Sequence, residues 1–325
     1  MLSETEITGK IHRKALDLGF SACGFASVEE LTELRPEFQE WVDSGRAGEM
    51  GYLERNMDLR LDPGKLVKGA KTVISLAASY YYPIPQHIPG SPRFSRYALS
   101  EDYHKVLKAL GHELLSWINT EIGPVRGRVF TDSAPIFERE WARRAGLGWL
   151  GKNGCLIIPK KGSYFFLAEI LIDLDLSLSL PSSGLLSSCL LSSSSLPSSC
   201  GTCTRCIVAC PTGALAVDGP MDPRKCISYL TIEHKSAIPA EFEGKWSDWI
   251  FGCDICQDVC PWNKKPLHSV IPEFEPRTGI LGIAAETIEN MDEAGFIQLF
   301  DGTPVERTGW TGILRNFAFL SGGAK

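Results

Sequence analysis

The spacing of eight cysteines constrains this chain more than any other feature. Cys200, Cys203, Cys206 and Cys210 form C-x2-C-x2-C-x3-C followed by Pro211, and Cys253, Cys256 and Cys260 form C-x2-C-x3-C followed by Pro261. Three thiolates two residues apart wrap a loop around one cube of iron and sulfide. A fourth, three residues on and starting a helix, points away toward a neighbouring cube. The second run lacks its first cysteine at the usual place, and Cys226 upstream replaces it. The count then closes: Cys200, Cys203, Cys206 and Cys260 for one 4Fe-4S cluster, and Cys210, Cys226, Cys253 and Cys256 for the other. Zinc also uses paired C-x2-C knuckles, but it has no use for a third cysteine at the same spacing or for twin Cys-Pro ends. Cys23 and Cys155 sit in apolar settings and read as buried thiols. Cys189 is assigned no role.

The remaining composition is that of a soluble globular protein. Of 325 residues, 44% are hydrophobic and 22% charged, enough for one large or two ordinary domains. A net charge of -6 argues against nonspecific coating of nucleic acid, though not against a local basic patch that docks one folded RNA. Met1 to Phe20 has no apolar signal region and reads as a helix opened by a capping box of Ser3 and Glu6, with Gly19 as its stop. With no membrane span expected, the address is cytoplasmic. Thiols stay reduced there, which favours metal ligation over disulfides.

Residues 1–176 read as an α/β domain. Strands are expected at Lys71–Ala78, Val125–Thr131 and Tyr164–Leu174, and helices at Glu101–Ile122 and at Ala134–Ala145, with Pro135 in the first turn of the latter. Residues 200–265 form the cluster module, a degenerate twofold repeat, and 266–325 a mixed C-terminal segment. Between them, 177–199 is almost wholly Ser, Leu, Pro and Gly without charge. It fits a low-complexity flexible linker or a misassigned stretch of sequence. No G-x-G-x-x-G follows a strand and no P-loop occurs, so neither a nicotinamide nor an ATP site is supported.

The segments YLERN (52–56), SRYALSEDYHK (95–105), FTDSAPIFERE (130–140), GLGWLGKNG (146–154), CGTCTRCIVACPTGAL (200–215), CISYLTIE (226–233) and FGCDICQDVCPWNK (251–264) together resemble the epoxyqueuosine reductases, and GTPVERTGW and LRN within 302–316 fit as well. The resemblance implies an α/β (α+β) cobalamin-binding domain similar to that of reductive dehalogenases, set against a bacterial-ferredoxin-like double 4Fe-4S module. It implies reduction of epoxyqueuosine to queuosine at the wobble position of tRNA. Cobalamin would be bound base-off, with its lower base detached, and reduced through two 4Fe-4S clusters fed by an external flavodoxin- or ferredoxin-like donor. A monomer is expected. The competing readings are a reductive dehalogenase, which usually bears a twin-arginine export signal, and a pure electron-transfer protein.

Removing an epoxide oxygen takes two electrons and a proton on the departing oxygen, and a carboxylic acid beside it can donate that proton. Asp132 in FTDSAP matches the family's proton donor. Read from the residues alone it is a helix N-cap at a strand end. As a donor near neutrality it needs its pKa raised by burial beside an apolar corrin. The same resemblance places Arg55, Lys152, Asn153, Ser228, Asp254, Ile255 and Gln257 around the cofactor, and Lys235, Lys264, Lys265, Arg307 and Arg315 as candidates for tRNA phosphates. Asp102-Tyr103-His104 imitates the start of a cobalt-ligating D-x-H-x-x-G motif. Leu107 stands where the Gly should be, and His104 is given no ligand role.

Overall fold

A computed structural model describes residues 2–85, 88–176, 199–217, 219–246 and 248–322. The Ser/Leu-rich linker, 177–198 with Cys189, lies outside the described residues.

Helix α1 (Glu4–Asp17) begins with the capping box read from the sequence. Ser3 Oγ accepts from the Glu6 amide at 3.3 Å, and Glu6 accepts from the Ser3 amide at 2.8 Å. It ends before Gly19, whose φ of +98° suits glycine alone among common residues. Strand β1 (Ala22–Ser27) follows, then the short helices α2 (Arg35–Asp43), α3 (Tyr52–Arg55) and α4 (Met57–Leu61), strand β2 (Thr72–Ser79) and the two-residue strand β3 (Arg93–Phe94). Helix α5 (Tyr103–Glu121), strand β4 (Gly127–Phe130), helix α6 (Glu138–Arg144), the β5–β6 ribbon (Trp149–Leu150, Leu156–Ile157) and strand β7 (Phe165–Ile172) complete the first half.

The main sheet runs β1-β2-β7-β4, and every neighbouring pair is antiparallel. Its two central strands are buried on both faces, so each reads as a continuous apolar run rather than an alternation. Ile74, Leu76, Ala168 and Ile170 face α1 and α5 through Ile11, Leu107, Leu114 and Ile118. Val73 and Leu171 face the opposite side, against Leu61 of α4 and Trp141 of α6. Each fully buried aliphatic side chain of this kind contributes about 1.5–3 kcal/mol. Gly24 is required on β1, because a Cβ there would stand 2.2 Å from the Ala145 carbonyl at the end of α6.

The second half is built on α7 (Arg205–Ala209), α8 (Ile227–Ile232), strand β8 (Trp249–Phe251), α9 (Ile255–Asp258), α10 (Ala285–Glu289), α11 (Glu293–Phe300) and α12 (Gly309–Leu320). It does not stand apart from the first. Strand β8 pairs in parallel with β3, and Phe94, Ala98 and Leu99 share a core with Ile232, Phe251, Phe300 and Ile313. Among the described residues no helix is long and apolar enough to cross a membrane.

One expected element is displaced. The helix expected at Ala134–Ala145 begins only at Glu138. Phe137 packs edge-on against Phe38, ring centroids 5.0 Å apart, in a non-helical conformation (φ -88°, ψ 74°). Residues 131–137 are therefore a turn, and Asp132 caps nothing.

Candidate functional site

The eight cysteines of the sequence pattern meet in two sets of four. Cys210, Cys226, Cys253 and Cys256 line a cavity of about 380 Å³, with Ile255 in its wall. Cys200, Cys203, Cys206 and Cys260 line another of about 360 Å³, walled by Lys152, Asn153 and Trp262. These are the sets into which the spacing divides them, and local backbone geometry explains the crossing. Cys210 and Cys260 precede Pro211 and Pro261, which exclude helical conformation at the residue before them. Both are extended (ψ 108° and 126°), end their helical turns and enter the opposite cavity. Cys226 follows the single turn Pro223–Lys225, capped by Asp222, and opens α8. Burial, then mutual repulsion, holds the thiols of Cys253 and Cys256 far above their ordinary range. Buried thiols so crowded suit a cationic centre among them, which would deprotonate them outright. The donor sets fit two iron–sulfur clusters.

The cluster loops are tied to the first half of the chain. Lys152 Nζ donates to the carbonyls of Gly201 (2.8 Å) and Cys203 (3.1 Å). Asp254, between Cys253 and Ile255, is buried and accepts from Ser95 Oγ (2.5 Å) and the Arg96 amide (2.8 Å). Gly252 permits that approach, since a Cβ there would meet Ser95 Cβ at 2.5 Å. Gln257 donates to Tyr80 Oη at 3.2 Å and accepts from Cys155 Sγ at 3.7 Å. Asn153 is buried, and its Nδ2 has no partner among the described residues. Ser228 is half-buried, and Arg55 is exposed.

Asp132 stands at the end of β4 with φ +29°, a left-handed conformation that Asp tolerates better than most residues. Its Oδ2 accepts from Tyr103 Oη at 2.6 Å and lies 3.1 Å from His104 Nε2. His104 Nδ1 lies 2.7 Å from Asp102 Oδ1, which also accepts from the His104 amide and so caps α5. The Tyr103 ring stacks on Phe166, centroids 4.1 Å apart and planes at 6°. Glu138 at the start of α6 accepts from the Asp132 amide. The Asp102-Tyr103-His104 segment, set aside in the sequence as a false cobalt motif, is what grips Asp132.

The charges in this cleft differ from expectation. Burial does push the Asp132 carboxyl upward, but hydrogen bonds from His104 and Tyr103 more than reverse it, and its pKa lies below the ordinary value. Its side chain keeps 53% exposure, so the carboxylate sits enclosed yet open to solvent. Burial lowers His104, but its bonds to Asp102 and Asp132 win and raise it to about 9. Glu138 is raised to about 8 by burial and then by Asp132. Beneath α6, Glu169 on β7 is fully buried and raised well above its ordinary value, first by burial and then by Glu138, and it accepts from Ser75 Oγ at 3.3 Å. The resting protons near Asp132 are on His104 and the two glutamates.

The basic residues expected to meet phosphate divide into two groups. Arg307 is held by Glu233 at 2.6 and 2.9 Å, Lys235 by the Ile232 carbonyl at 2.8 Å, and Arg315 by the carbonyls of Leu230 and Ser236, each at 3.1 Å. Lys264 and Lys265 are exposed.

Comparison with known proteins gives a consistent picture. Residues 199–263 match the family described as a 4Fe-4S double cluster binding domain, and residues 60–133 match "Epoxyqueuosine reductase QueG, DUF1730". The epoxyqueuosine reductase of Cellulophaga algicola is 43% identical over 310 residues, covering 95% of this chain and 96% of the relative. That of Vibrio cholerae is 36% identical over 324 residues, covering 98% and 84%. A crystal structure of an epoxyqueuosine reductase with an epoxyqueuosine-modified tRNA-Tyr stem loop superposes with a TM-score of 0.82 at 26% identity, covering 98% of this chain and 81% of that one. The Bacillus subtilis enzyme, solved with its catalytic aspartate loop swung out of the active site, gives 0.83 at 26% identity, covering 98% and 82%.

Proposed function

This chain belongs to the epoxyqueuosine reductase family, and we propose that it reduces epoxyqueuosine in tRNA with Asp132 delivering the proton to the departing oxygen. The observation that carries this reading is the clamp on Asp132, whose Oδ2 is met by Tyr103 at 2.6 Å and His104 at 3.1 Å.

The eight cysteines, in their two sets, hold the 4Fe-4S clusters. Family membership supports a large cofactor with amide arms, such as base-off cobalamin, lying between Asp254 and Asp132. Tyr97 packs edge-on to Tyr103, the residue bonded to Asp132, with centroids 6.2 Å apart, and Asn153, in the wall of one cluster cavity, has a buried Nδ2 donor with no acceptor among the described residues. Asn153 and Ser228 would hold the arms. Asp254, Ile255 and Gln257 would form the wall toward the clusters, with Lys152 bracing the cluster loop and Arg55 at the rim. When bound, such a cofactor would supply the two electrons of the reaction, with a flavodoxin- or ferredoxin-like protein as their outside source.

The chain's own residues manage the protons. Conversion of the epoxide to the alkene consumes two electrons and two protons, and the oxygen leaves as water. Asp132 is ionised at rest, so the proton it delivers comes from His104, whose Nε2–H points at Oδ2. Asp102 holds the far nitrogen protonated and the ring in place. Lys264 and Lys265 are free to meet RNA phosphates. The protein would work as a cytoplasmic monomer.

Anaerobic reconstitution with iron, sulfide and cobalamin, followed by nucleoside analysis of tRNA from a strain lacking the activity, tests the reading. Conversion of epoxyqueuosine to queuosine is expected. A protein fully loaded with iron and corrin that leaves the epoxide intact overturns it.

A further inference from the structure

Asp132 is tied at two points, and only one of them belongs to its carboxylate. Tyr103 and His104 hold the side chain from α5. The Asp132 backbone amide donates instead to the Glu138 carboxyl at the start of α6. This is not a helix cap. In a capping box the acid sits at the third helical position and reaches back to the cap residue. Glu138 is the first residue of α6, the cap residue Phe137 makes no side-chain bond, and the carboxyl reaches six residues back across the whole turn.

The turn needs such a tie. Its own backbone bonds run from the Ala134 amide to the Thr131 carbonyl (3.2 Å) and from the Ile136 amide to the Ala134 carbonyl (2.8 Å). Neither involves Asp132, which stands exposed at φ +29°. A non-glycine residue keeps that backbone state only where its surroundings impose it. Helix α6 is a firm anchor for the other end. Trp141 and Ala142 are fully buried, Ile136 just before the helix shares the Trp141 core, and Arg139 donates to the Gly154 carbonyl. Charge does not oppose the tie. The charged groups about Glu138 are Asp132, His104, Arg139 and, on β7, Glu169. Burial and then Asp132 raise the Glu138 carboxyl to about 8. Near neutrality it is uncharged, and its carbonyl oxygen accepts from the amide without repelling the Asp132 carboxylate.

We propose that Glu138 is a positioning residue that locks the 131–137 turn through the Asp132 amide, keeping the Asp132 carboxylate against Tyr103 and His104 and beside the departing oxygen. The inference rests on the function proposed above. No bond to Glu138 forms or breaks in the reaction, and it gives up no proton. Its share is the placing of the donor, where an error of about 1 Å costs about 100-fold in rate.

The test uses fully reconstituted enzyme and an epoxyqueuosine-bearing stem loop under single turnover. Glu138→Ala removes the acceptor and is expected to slow the reaction about 100-fold, with iron content, corrin spectrum and stem-loop affinity kept. Glu138→Gln loses the charge but keeps an acceptor oxygen at the same reach, and is expected to bring the rate back to within about threefold of wild type. Glu138→Asp, the variant least disruptive to folding, falls one methylene short and is expected to lose about tenfold. The pH profile separates positioning from a general loss of structure. His104 is raised to about 9 by Asp102 and Asp132 together. An Asp132 that has left it lets the alkaline limb move down by about one pH unit in the alanine and aspartate variants, whereas the limb stays in place in the glutamine variant. A merely inactive fraction of protein lowers the rate without moving the limb.

Overturning outcomes are an alanine or aspartate variant within about threefold of wild type, a glutamine variant as slow as the alanine one, a slow variant whose limb does not move, or a loss confined to stem-loop binding. If the alanine chain does not load iron, the rate and limb of the aspartate variant decide. A loaded wild-type enzyme that leaves the nucleoside intact overturns the proposed function and this inference with it. Normal wild-type turnover with any of the other outcomes overturns this inference alone.

Discussion

His104 stands between two carboxylates, with Nδ1 2.7 Å from Asp102 Oδ1 and Nε2 3.1 Å from Asp132 Oδ2. An ionised carboxylate only accepts hydrogen bonds, so satisfying both requires both ring nitrogens to donate. The geometry selects the imidazolium, in keeping with a pKa raised to about 9.

If that imidazolium feeds Asp132, the single-turnover rate stays level through neutrality and falls about tenfold per pH unit above about 9. The sign follows from the donor having to be protonated. In His104→Gln the amide can still hold Asp132 but carries no mobile proton. The rate is then expected to fall with rising pH from the carboxyl range upward, and to be about 100-fold lower at neutrality. A variant that keeps the alkaline limb near 9 would remove His104 from the proton path. The same linkage acts on stability. The folded pKa exceeds the unfolded one, so this contribution is present below the unfolded value near 6.5 and is lost as pH rises through about 9.

Glu169 carries the opposite lesson. It is a carboxyl inside the central sheet, raised well above its ordinary value by burial. The folded chain holds a proton there that the unfolded chain releases, so this group reduces stability progressively as pH rises above the unfolded pKa. Glu169→Gln keeps an acceptor for Ser75 and removes the titration. Its gain in unfolding free energy over wild type, read from melting curves, is expected to grow between pH 5 and pH 8, at up to about 1.4 kcal/mol per pH unit. Parallel melting curves across that range would show no such divergence if Glu169 were ionised in the folded state.

The cluster sites were legible in the sequence because cubane ligation is local. Cys200 to Cys210 and Cys253 to Cys260 carry their geometry in spacings of two and three residues, and the following prolines fix the crossing. The strands at 72–79 and 165–172 were legible as unbroken apolar runs. Strand β1 was not, since ACGFAS has no β-branched residue to mark it. The β3–β8 pairing was invisible for a different reason: it joins Arg93–Phe94 to Trp249–Phe251 across more than 150 residues through a few hydrogen bonds. The Asp132 clamp lay between these extremes. Its three members are consecutive in Asp102-Tyr103-His104, but their role depends on α5 starting beside the end of β4, which no local pattern encodes.

Lys152 offers a test of how the first half of the chain supports one cluster. Its ammonium bridges the carbonyls of Gly201 and Cys203, within the loop that carries three of the four thiols of one cavity. Lys152→Met keeps the stem and removes those charge-assisted bonds, each worth about 1.5–3 kcal/mol. Chelator challenge is expected to release about half of the iron at least tenfold faster than from wild type, with the remainder unchanged. Uniform release of all the iron would mean that the lysine supports the module as a whole.

The division of cysteines between the cavities is itself open to measurement, because neighbours in sequence belong to different sets. Cys206 and Cys210 are four residues apart yet line separate cavities, whereas Cys210 and Cys253 are 43 apart and share one. A thiolate withdrawn from one cube should leave the other intact, since each cluster is held by its own four ligands. The double variant Cys210→Ser/Cys253→Ser is therefore expected to retain about half of the iron and one intact electron paramagnetic resonance signal on reduction. Cys206→Ser/Cys210→Ser, two changes at equally conservative positions, is expected to lose both. Substituting Cys226 together with Cys253 should match the first pattern, since the isolated cysteine belongs to the same cavity. If the sequence-adjacent pair instead kept half of the iron and the distant pair none, each run would ligate its own cluster and the crossing at Cys210 and Cys260 would be wrong.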